Sequence, residues 1–357
     1  MGIFNDMLKA DETLFSNELA LDYDFVPKIL PYREEKQKEI ARCIAPLLQK
    51  RNGKNGFIYG SPGIGKTAAT RWVLRDLEEE NDGVIPIYVN CWQKNTTYKV
   101  IVEICEQIGY RFTQNKKTDE LFKVIKERIN DNRSAVFAFD EVDKLEDYDF
   151  LYMLSEEIYR VSILMITNYK EWLTNLDMRV RSRLTPDTIE FETYKASEIA
   201  GILKERIRYA FYEKVWGDEA FDAVVDKAYE LGDVRQGIYL LREAGRAAED
   251  DSSRKIGLEH AKKAIAKLEE FSIKKPSDLE EDSQLILEII KENSGKKIGE
   301  LYKIYKSNGG DKTSKTFQRK IEKLEKARFI ETHKTGGGAE GNTTIVNYKK
   351  DRTLNEF

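Results

Sequence analysis

The residues Gly60-Ser61-Pro62-Gly63-Ile64-Gly65-Lys66-Thr67, with Ala68 next in the same run, carry the spacing G-x-x-x-x-G-K-[ST]. That spacing suits a polyphosphate. Glycines let successive backbone N–H groups curl around phosphate oxygens, and the start of a following helix adds partial positive charge. Lys66 would reach the β- and γ-phosphates, and the Thr67 hydroxyl would bind Mg²⁺. Further on, the apolar run Ala135 to Phe139 ends in Asp140 and Glu141. Asp140 would hold Mg²⁺ through water, and Glu141 would polarise an attacking water as a general base. A buried strand meeting a loop gives the same string, but a phosphate loop upstream turns the pair into an NTPase signature.

Three weaker signals follow. Asn168, after the apolar run Ser162 to Thr167, could orient water near a γ-phosphate, although asparagine is common in turns. Arg179, Arg181 and Arg183 form a basic cluster. One of them could serve as an arginine finger across a subunit interface; solvated surface charge and DNA contact remain open. Arg235, in Gly232-Asp233-Val234-Arg235, stands at a helix start and could fold back onto the phosphates, or simply follow a capped turn.

The elements that must position these residues follow from periodicity. Helical spacing predicts helices over 33–49, 66–80, 97–108, 119–130 and 150–159. Short apolar, β-branched runs predict strands over 56–59, 84–90, 135–139 and 162–167. Strands alternating with helices imply a parallel sheet with crossovers. Between 195 and 271 the strands vanish and four helical patterns follow one another. Lys274 to Ser277 reads as a linker. Then come three helices (282–293, 298–307, 313–328) and two strands (329–334, 343–348) joined by a loop with Gly336, Gly337, Gly338 and Gly341. Three helices followed by a hairpin is the winged-helix order.

The chain length of 357 residues suits two or three domains. Hydrophobic residues make up 41% and charged residues 34%, as in a soluble globular protein. No apolar run approaches the ~18 to 20 residues needed to cross a bilayer. Met1 to Asp11 lacks a basic, apolar secretory leader. A cytoplasmic, nucleoid-associated place with no membrane partner is expected. Cys43, Cys91 and Cys105 are too few and too widely spaced for a disulfide framework or a metal knuckle and read as buried small hydrophobes. With only His260 and His333, neither a structural zinc site nor a His-based triad is expected.

The net charge of −4 argues against nucleic acid, but it is unevenly spread. From Lys291 to Lys350, 15 basic residues face 7 acidic ones, a surplus that favours a nucleic-acid face there. In the third helix of this part, Phe317, Ile321 and Leu324 should face the core. Lys315, Gln318, Arg319 and Lys323 then turn outward. Thr313, Ser314, Lys315, Gln318 and Arg319, near the helix start, are the candidates for reading bases in a major groove. The glycine loop around Gly337 would be a wing in the minor groove, with Lys334 beside it on phosphate. A winged helix used only for protein contact remains open.

The phosphate loop, the Asp-Glu strand end, Asn168, the Arg179 region and Gly-Asp-x-Arg together resemble the AAA+ superfamily. More closely, the chain is similar to archaeal replication initiators of the origin-recognition and cell-division-cycle (Orc/Cdc) family. Five stretches carry this: 21–34, from Leu21-Asp22-Tyr23 to Pro31-Tyr32-Arg33-Glu34; Val89-Asn90-Cys91 with Thr97-Tyr98-Lys99-Val100; Arg179-Val180-Arg181-Ser182; Gly232-Asp233-Val234-Arg235 with Leu240-Leu241-Arg242; and the carboxy-terminal winged-helix pattern. Met178 stands where the family often has proline. The resemblance implies an α/β AAA+ core (a parallel sheet flanked by helices) over 1–192, an all-helical lid over 193–275 and a winged-helix DNA-binding domain over 276–357. It implies ATP or ADP with Mg²⁺ as cofactors, Asn168 and Arg235 as sensors, and Arg179 or else Arg183 as the finger. It also implies a helical insertion within about Gly109 to Asp119 that touches DNA. The partners implied are double-stranded origin DNA, the replicative minichromosome maintenance helicase and further copies of the chain on DNA. The expected function is an ATP-dependent replication initiator whose slow hydrolysis acts as a switch. A DNA-binding AAA+ regulator, or a helicase- or clamp-loader-like ATPase without origin specificity, are the alternatives.

Overall fold

A computed structural model of the chain describes residues 13–23, 25–27, 29–131, 133–272, 280–326, 329–335 and 343–348. The chain divides into two compact units between Ala266 and Lys267. In the first, a 3-10 turn, Glu18–Leu21, precedes α1 (Glu34–Leu48), β1 (Gly56–Tyr59), α2 (Lys66–Glu80), β2 (Val84–Asn90), α3 (Thr97–Gln107), α4 (Thr118–Asn130) and β3 (Ser134–Asp140). A second 3-10 turn, Val142–Lys144, leads to α5 (Asp149–Glu157), β4 (Val161–Thr167), α6 (Trp172–Asn175), α7 (Met178–Leu184) and β5 (Asp187–Glu190). Helices α8 (Ala196–Ala210), α9 (Asp218–Leu231), α10 (Val234–Asp250) and α11 (Leu258–Ser272), within which the division falls, follow without strands.

The five strands lie in the order β2-β3-β4-β1-β5, all parallel. Every residue of β3 and β4 is buried, which explains their unbroken apolar sequences: a parallel strand covered on both faces has no solvent side to mark with polar residues. Helix α1 shows the opposite pattern. Ile40, Cys43, Ile44 and Leu47 recur at helical spacing and are buried, while Glu34 and Glu35 favour its first turn. Because β1, β3 and β4 end on the same edge, this order brings the phosphate loop, Asp140 and Asn168 together. Ligands of such sheets bind beyond the carboxyl ends of the strands.

Several elements escape sequence reading, among them β5, α7 and β6. β5, Asp-Thr-Ile-Glu, has one buried residue and is a strand because it pairs with β1 at the sheet edge. α7 runs through the basic cluster and buries only Val180 and Leu184. β6 is two lysines. The insertion expected within Gly109 to Asp119 has no helix of its own; it is the loop between α3 and α4, plus the first residues of α4. There Lys116 and Arg128 lie against the ring of Tyr110.

The second unit holds α12 (Glu281–Glu292), β6 (Lys296–Lys297), α13 (Ile298–Ser307), α14 (Ser314–Lys326), β7 (Ile330–Thr335) and β8 (Thr343–Tyr348). Its strands form an antiparallel sheet in the order β6-β8-β7. Its core joins Ile286, Ile290, Leu301, Tyr305, Ile330 and Val346 with Phe317, Ile321 and Leu324 of α14. Lys315, Gln318, Arg319 and Lys323, expected to face outward, are exposed, as are the other base-reading candidates, Thr313 and Ser314. Lys320 turns inward and pairs with Glu280 at 2.9 Å and Asp282 at 3.1 Å. Lys334 lies on β7, and Gly337 falls outside the described residues. Among the described residues, no helix is long and apolar enough to cross a membrane.

The division of α14 into two faces is open to a direct check. Phe317→Ala should cost about 3–5 kcal/mol of stability, because it empties a buried site. Gln318→Ala should stay within about 0.5 kcal/mol. Denaturant unfolding measures both, and equal effects would contradict the assigned faces.

Candidate functional site: a phosphate-binding cleft between sheet and lid

The phosphate loop is shaped by three glycines with positive φ: Gly60 at 148°, Gly63 at 73° and Gly65 at 89°. At Gly63 and Gly65 the need is also steric. A Cβ on Gly63 would overlap the Asp233 carboxylate, and one on Gly65 would stand 2.8 Å from the Tyr194 hydroxyl. The loop passes into α2 at Lys66. Its ammonium donates to the carbonyls of Gly60 and Ser61 and to Asn168 Oδ1, each at 2.8 Å. Burial pushes Lys66 down to about 8, with Arg235 acting the same way and Asp140, Glu141 and Asp143 opposing.

Asp140, at the end of β3, is 4% exposed. Its Oδ2 accepts from Thr67 Oγ1 at 2.6 Å and from the Tyr88 hydroxyl at 2.7 Å, while Oδ1 accepts from the Glu141 backbone N–H. The donor set suits a hard cation: a hydroxyl and a carboxylate adjoin where phosphate oxygens would complete the coordination. Glu141 adopts φ 55°, in the left-handed region that a β-carbon disfavours. Its carboxyl is raised, first by burial and then by Asp140 and Asp143. Asp143 accepts from Thr167 Oγ1 at 2.8 Å and pairs with Lys144 at 2.9 Å, which ties the ends of β3 and β4 together.

The lid closes the other side. Asp233 caps α10 by accepting from the Arg235 backbone N–H at 2.8 Å, and it also pairs with the Arg235 side chain at 2.9 Å. The Val234 N–H donates to the Gly63 carbonyl at 3.3 Å, so the start of α10 rests on the phosphate loop. Between the two sides lies a cleft of about 380 Å³. Pro62, Gly63, Gly65, Lys66, Thr67, Ala68, Asp140, Glu141, Asn168 and Arg235 all line it. Gly60, Ser61 and Ile64 do not. The first two give their carbonyls to Lys66, and Ile64 is buried with its carbonyl bonded to Arg33 Nε at 3.0 Å. Arg179 and Arg183 lie elsewhere, on α7. Arg179 is 86% exposed and bonded to Asp177, and Arg183 pairs with Glu156 of α5 at 2.6 Å.

Sequence reasoning missed the apolar half of the cleft. Phe25, Val26 and Leu30 from the amino-terminal segment face Ile202, Arg206 and Ile238 of the lid. No local pattern marks them, because they meet only when the chain folds. Tyr88 was legible only as strand residue, and Arg33, packed 3.7 Å from the Tyr194 ring centroid, only as part of a familiar segment. The one available hint for Asp143 was its place two residues after Glu141.

A parallel sheet in this order, a phosphate loop after β1, acids at the end of β3, and a helical lid closing on the loop define an ATPase of the AAA+ class. Comparison with known proteins agrees. An AAA domain family matches residues 49–173, and the Cdc6 AAA+ ATPase-type lid domain matches residues 200–266. The chain is 32% identical to the ORC1-type DNA replication protein 2 of Methanothermobacter thermautotrophicus, over 96% of this chain and 93% of that one. It is 34% identical to the ORC1-type DNA replication protein 1 of Sulfurisphaera tokodaii, over 82% and 78%. The Aeropyrum pernix ORC1 protein, solved in complex with DNA, superposes with a TM-score of 0.74 at 29% identity, over 97% of this chain and 96% of that one. The chain belongs to the family of ORC1-type DNA replication proteins.

The environment of Lys66 sets a proton count for ligand binding. With its ammonium held down to about 8, Lys66 is largely neutral at about pH 9. A diphosphate beside it would restore the charge. Binding of ADP without metal should therefore take up close to one proton at about pH 9 and almost none at about pH 7. Calorimetry in buffers of different ionisation enthalpy reads this uptake; its absence at the higher pH would contradict the assigned environment.

Proposed function

We propose that this chain is an ATP-dependent replication initiator that binds double-stranded origin DNA and hydrolyses ATP slowly, as a switch. The observation that carries the reading is the cleft itself, with phosphate-binding groups on the sheet side and Asp233, Val234 and Arg235 of the lid on the other. Lys66 and the loop N–H groups would hold the β- and γ-phosphates. Thr67 and Asp140 would hold Mg²⁺, which neutralises phosphate charge when bound. Glu141 would take a proton from the attacking water, a role that suits its raised carboxyl. Asn168, bonded to Lys66, would orient that water, and Arg235 would report the γ-phosphate to α10.

The finger would come from a neighbouring copy. The exposure of Arg179 supports it over Arg183, which is tied to Glu156. Because one ligand would touch both sheet and lid, ATP and ADP can favour different angles between them only through differential contacts, and Arg235 is the contact that differs. Turnover then serves as a timer.

The second unit is read as a winged helix, with α14 as its major-groove helix. Support comes from the element order, from the exposure of Ser314, Lys315, Gln318 and Arg319 opposite a buried apolar face, and from the basic surplus of this part. Lys334 would sit on phosphate and Gly337 in the wing. On this reading the chain has three parts, 1–192, 193–275 and 276–357. The protein acts in the cytoplasm at the nucleoid, assembles with further copies on DNA, and helps recruit the replicative minichromosome maintenance helicase.

Footprinting on the host's origin DNA, with ATP and with ADP, tests the proposal. Protection at one or a few origin sites that changes with nucleotide supports it; protection spread over many promoters favours a regulator. Arg319→Ala and Lys315→Ala should each flatten the slope of log affinity against log salt by about 1 if they contact phosphate, or relax sequence preference if they contact bases. Full affinity and specificity in both variants would remove α14 from the interface.

A further inference from the structure

The amino-terminal segment lies along the lid. The Ser16 and Asn17 N–H groups donate to the Ala210 carbonyl, and Phe15 packs on Phe211 at 4.7 Å between ring centroids. Glu249 accepts from Thr13 and from the Leu14 backbone, Arg246 pairs with Glu18 at 2.7 Å, and Arg242 with Asp22 at 3.4 Å. Beyond these anchors the strap reaches the cleft, where Tyr23, Phe25 and Val26 form part of its lining. The strap is thus fastened to the lid and supplies a wall of the lid's own cleft.

The anchors differ in kind. The pairs to Glu18 and Asp22 are half-exposed at one or both partners, and such pairs contribute little. Arg206 of α8 is 8% exposed. It donates to the Ala20 carbonyl at 2.9 Å and the Phe25 carbonyl at 3.0 Å, and its guanidinium lies 5.0 Å from the Phe25 ring centroid. No carboxylate among the described residues pairs with it. A buried cation is costly unless its donors are well used, so two charge-assisted bonds and a cation–π contact are what keep it there. Burial pushes Arg206 down to about 10, in line with that cost. The two carbonyls flank the turn that delivers Phe25 to the cleft.

We propose that Arg206 is a positioning residue that clamps the strap to the lid and so builds the wall against which the nucleoside part of the ligand packs. This rests on the reading of the cleft as a nucleotide site and divides it in two. The phosphate loop and Lys66 hold phosphate; the Arg206–Phe25 wall with Val26, Ile202 and Ile238 holds the base. The Arg206 guanidinium acts through Phe25 and through the backbone of the strap.

The division sets a test that a merely structural role would not pass. Calorimetry on the full chain measures affinity for ADP and for pyrophosphate, which has no nucleoside. Arg206→Met should weaken ADP tenfold or more, the loss of charge-assisted bonds converted to affinity, and leave pyrophosphate within about twofold. Arg206→Lys should recover part of the ADP affinity, since an ammonium can serve one carbonyl. Phe25→Ala, which keeps both backbone carbonyls that Arg206 bonds, should show the same selective loss. Equal losses for both ligands in Arg206→Met and Phe25→Ala, or undiminished ADP binding in both, would overturn the proposal. Wild-type protein that takes pyrophosphate but not ADP would remove the nucleotide reading and this one with it. Wild-type binding of ADP with insensitive variants removes only this one.

Discussion

The site depends on how closely two backbones meet, at Gly63 in the phosphate loop and at Asp233–Val234 at the start of α10. The Val234 N–H reaches the Gly63 carbonyl, and the Asp233 carboxylate fills the space that any side chain on Gly63 would need. Gly63 also sits at positive φ. Backbone shape and lack of a side chain are thus required at one residue for two reasons: to curl the loop around an anion and to let the lid approach. Asp233 serves both sides as well. It caps α10 and fixes Arg235 over the cleft, so the helix start and the arginine move as one piece.

Charge in the cleft is arranged by contrast. The acids cluster at the strand ends, where Asp140 is satisfied by Thr67 and Tyr88 and Glu141 is left with raised proton affinity. Lys66, Arg206 and Arg235 are among the cations that line the cleft, and Arg33 lies behind the phosphate loop, on the Ile64 carbonyl. Arg33 and Arg206 both bond backbone carbonyls, Ile64 and Glu192 for Arg33, Ala20 and Phe25 for Arg206. Each fastens a segment that has no regular hydrogen-bond ladder, which is how irregular chain becomes rigid enough to line a site. Clusters of shifted groups in a cleft are the usual mark of function.

How much of this was legible in the sequence depends on the range of the interaction. Helices α2 and α13 and strands β1, β2 and β8 have bounds that match the periodic pattern, because local propensity and burial agree there. Lys66, Thr67, Asp140 and Glu141 could be named from the spacing of their motifs, whereas Asn168 and Arg235 were weaker signals that gained a role only from the family resemblance. β5 could not, being four residues long with one apolar side chain and defined only by its neighbour β1. The base-side wall could not either. Phe25 and Arg206 are separated by 180 intervening residues, and what joins them is a backbone carbonyl, which no side-chain pattern records. Lys320 is one of the 15 basic residues counted from Lys291 to Lys350, but Glu280 and Asp282 hold it inward, which a charge count does not reveal.

Hydrogen exchange with and without ADP tests the central claim most directly. If one ligand joins sheet and lid through the Gly63–Val234 contact, ADP slows exchange in the phosphate loop and, in the same step, at the start of α10 around Val234 to Ile238. Slowing confined to the phosphate loop, with α10 unchanged, would mean that the lid does not take part in binding, and the account would fail.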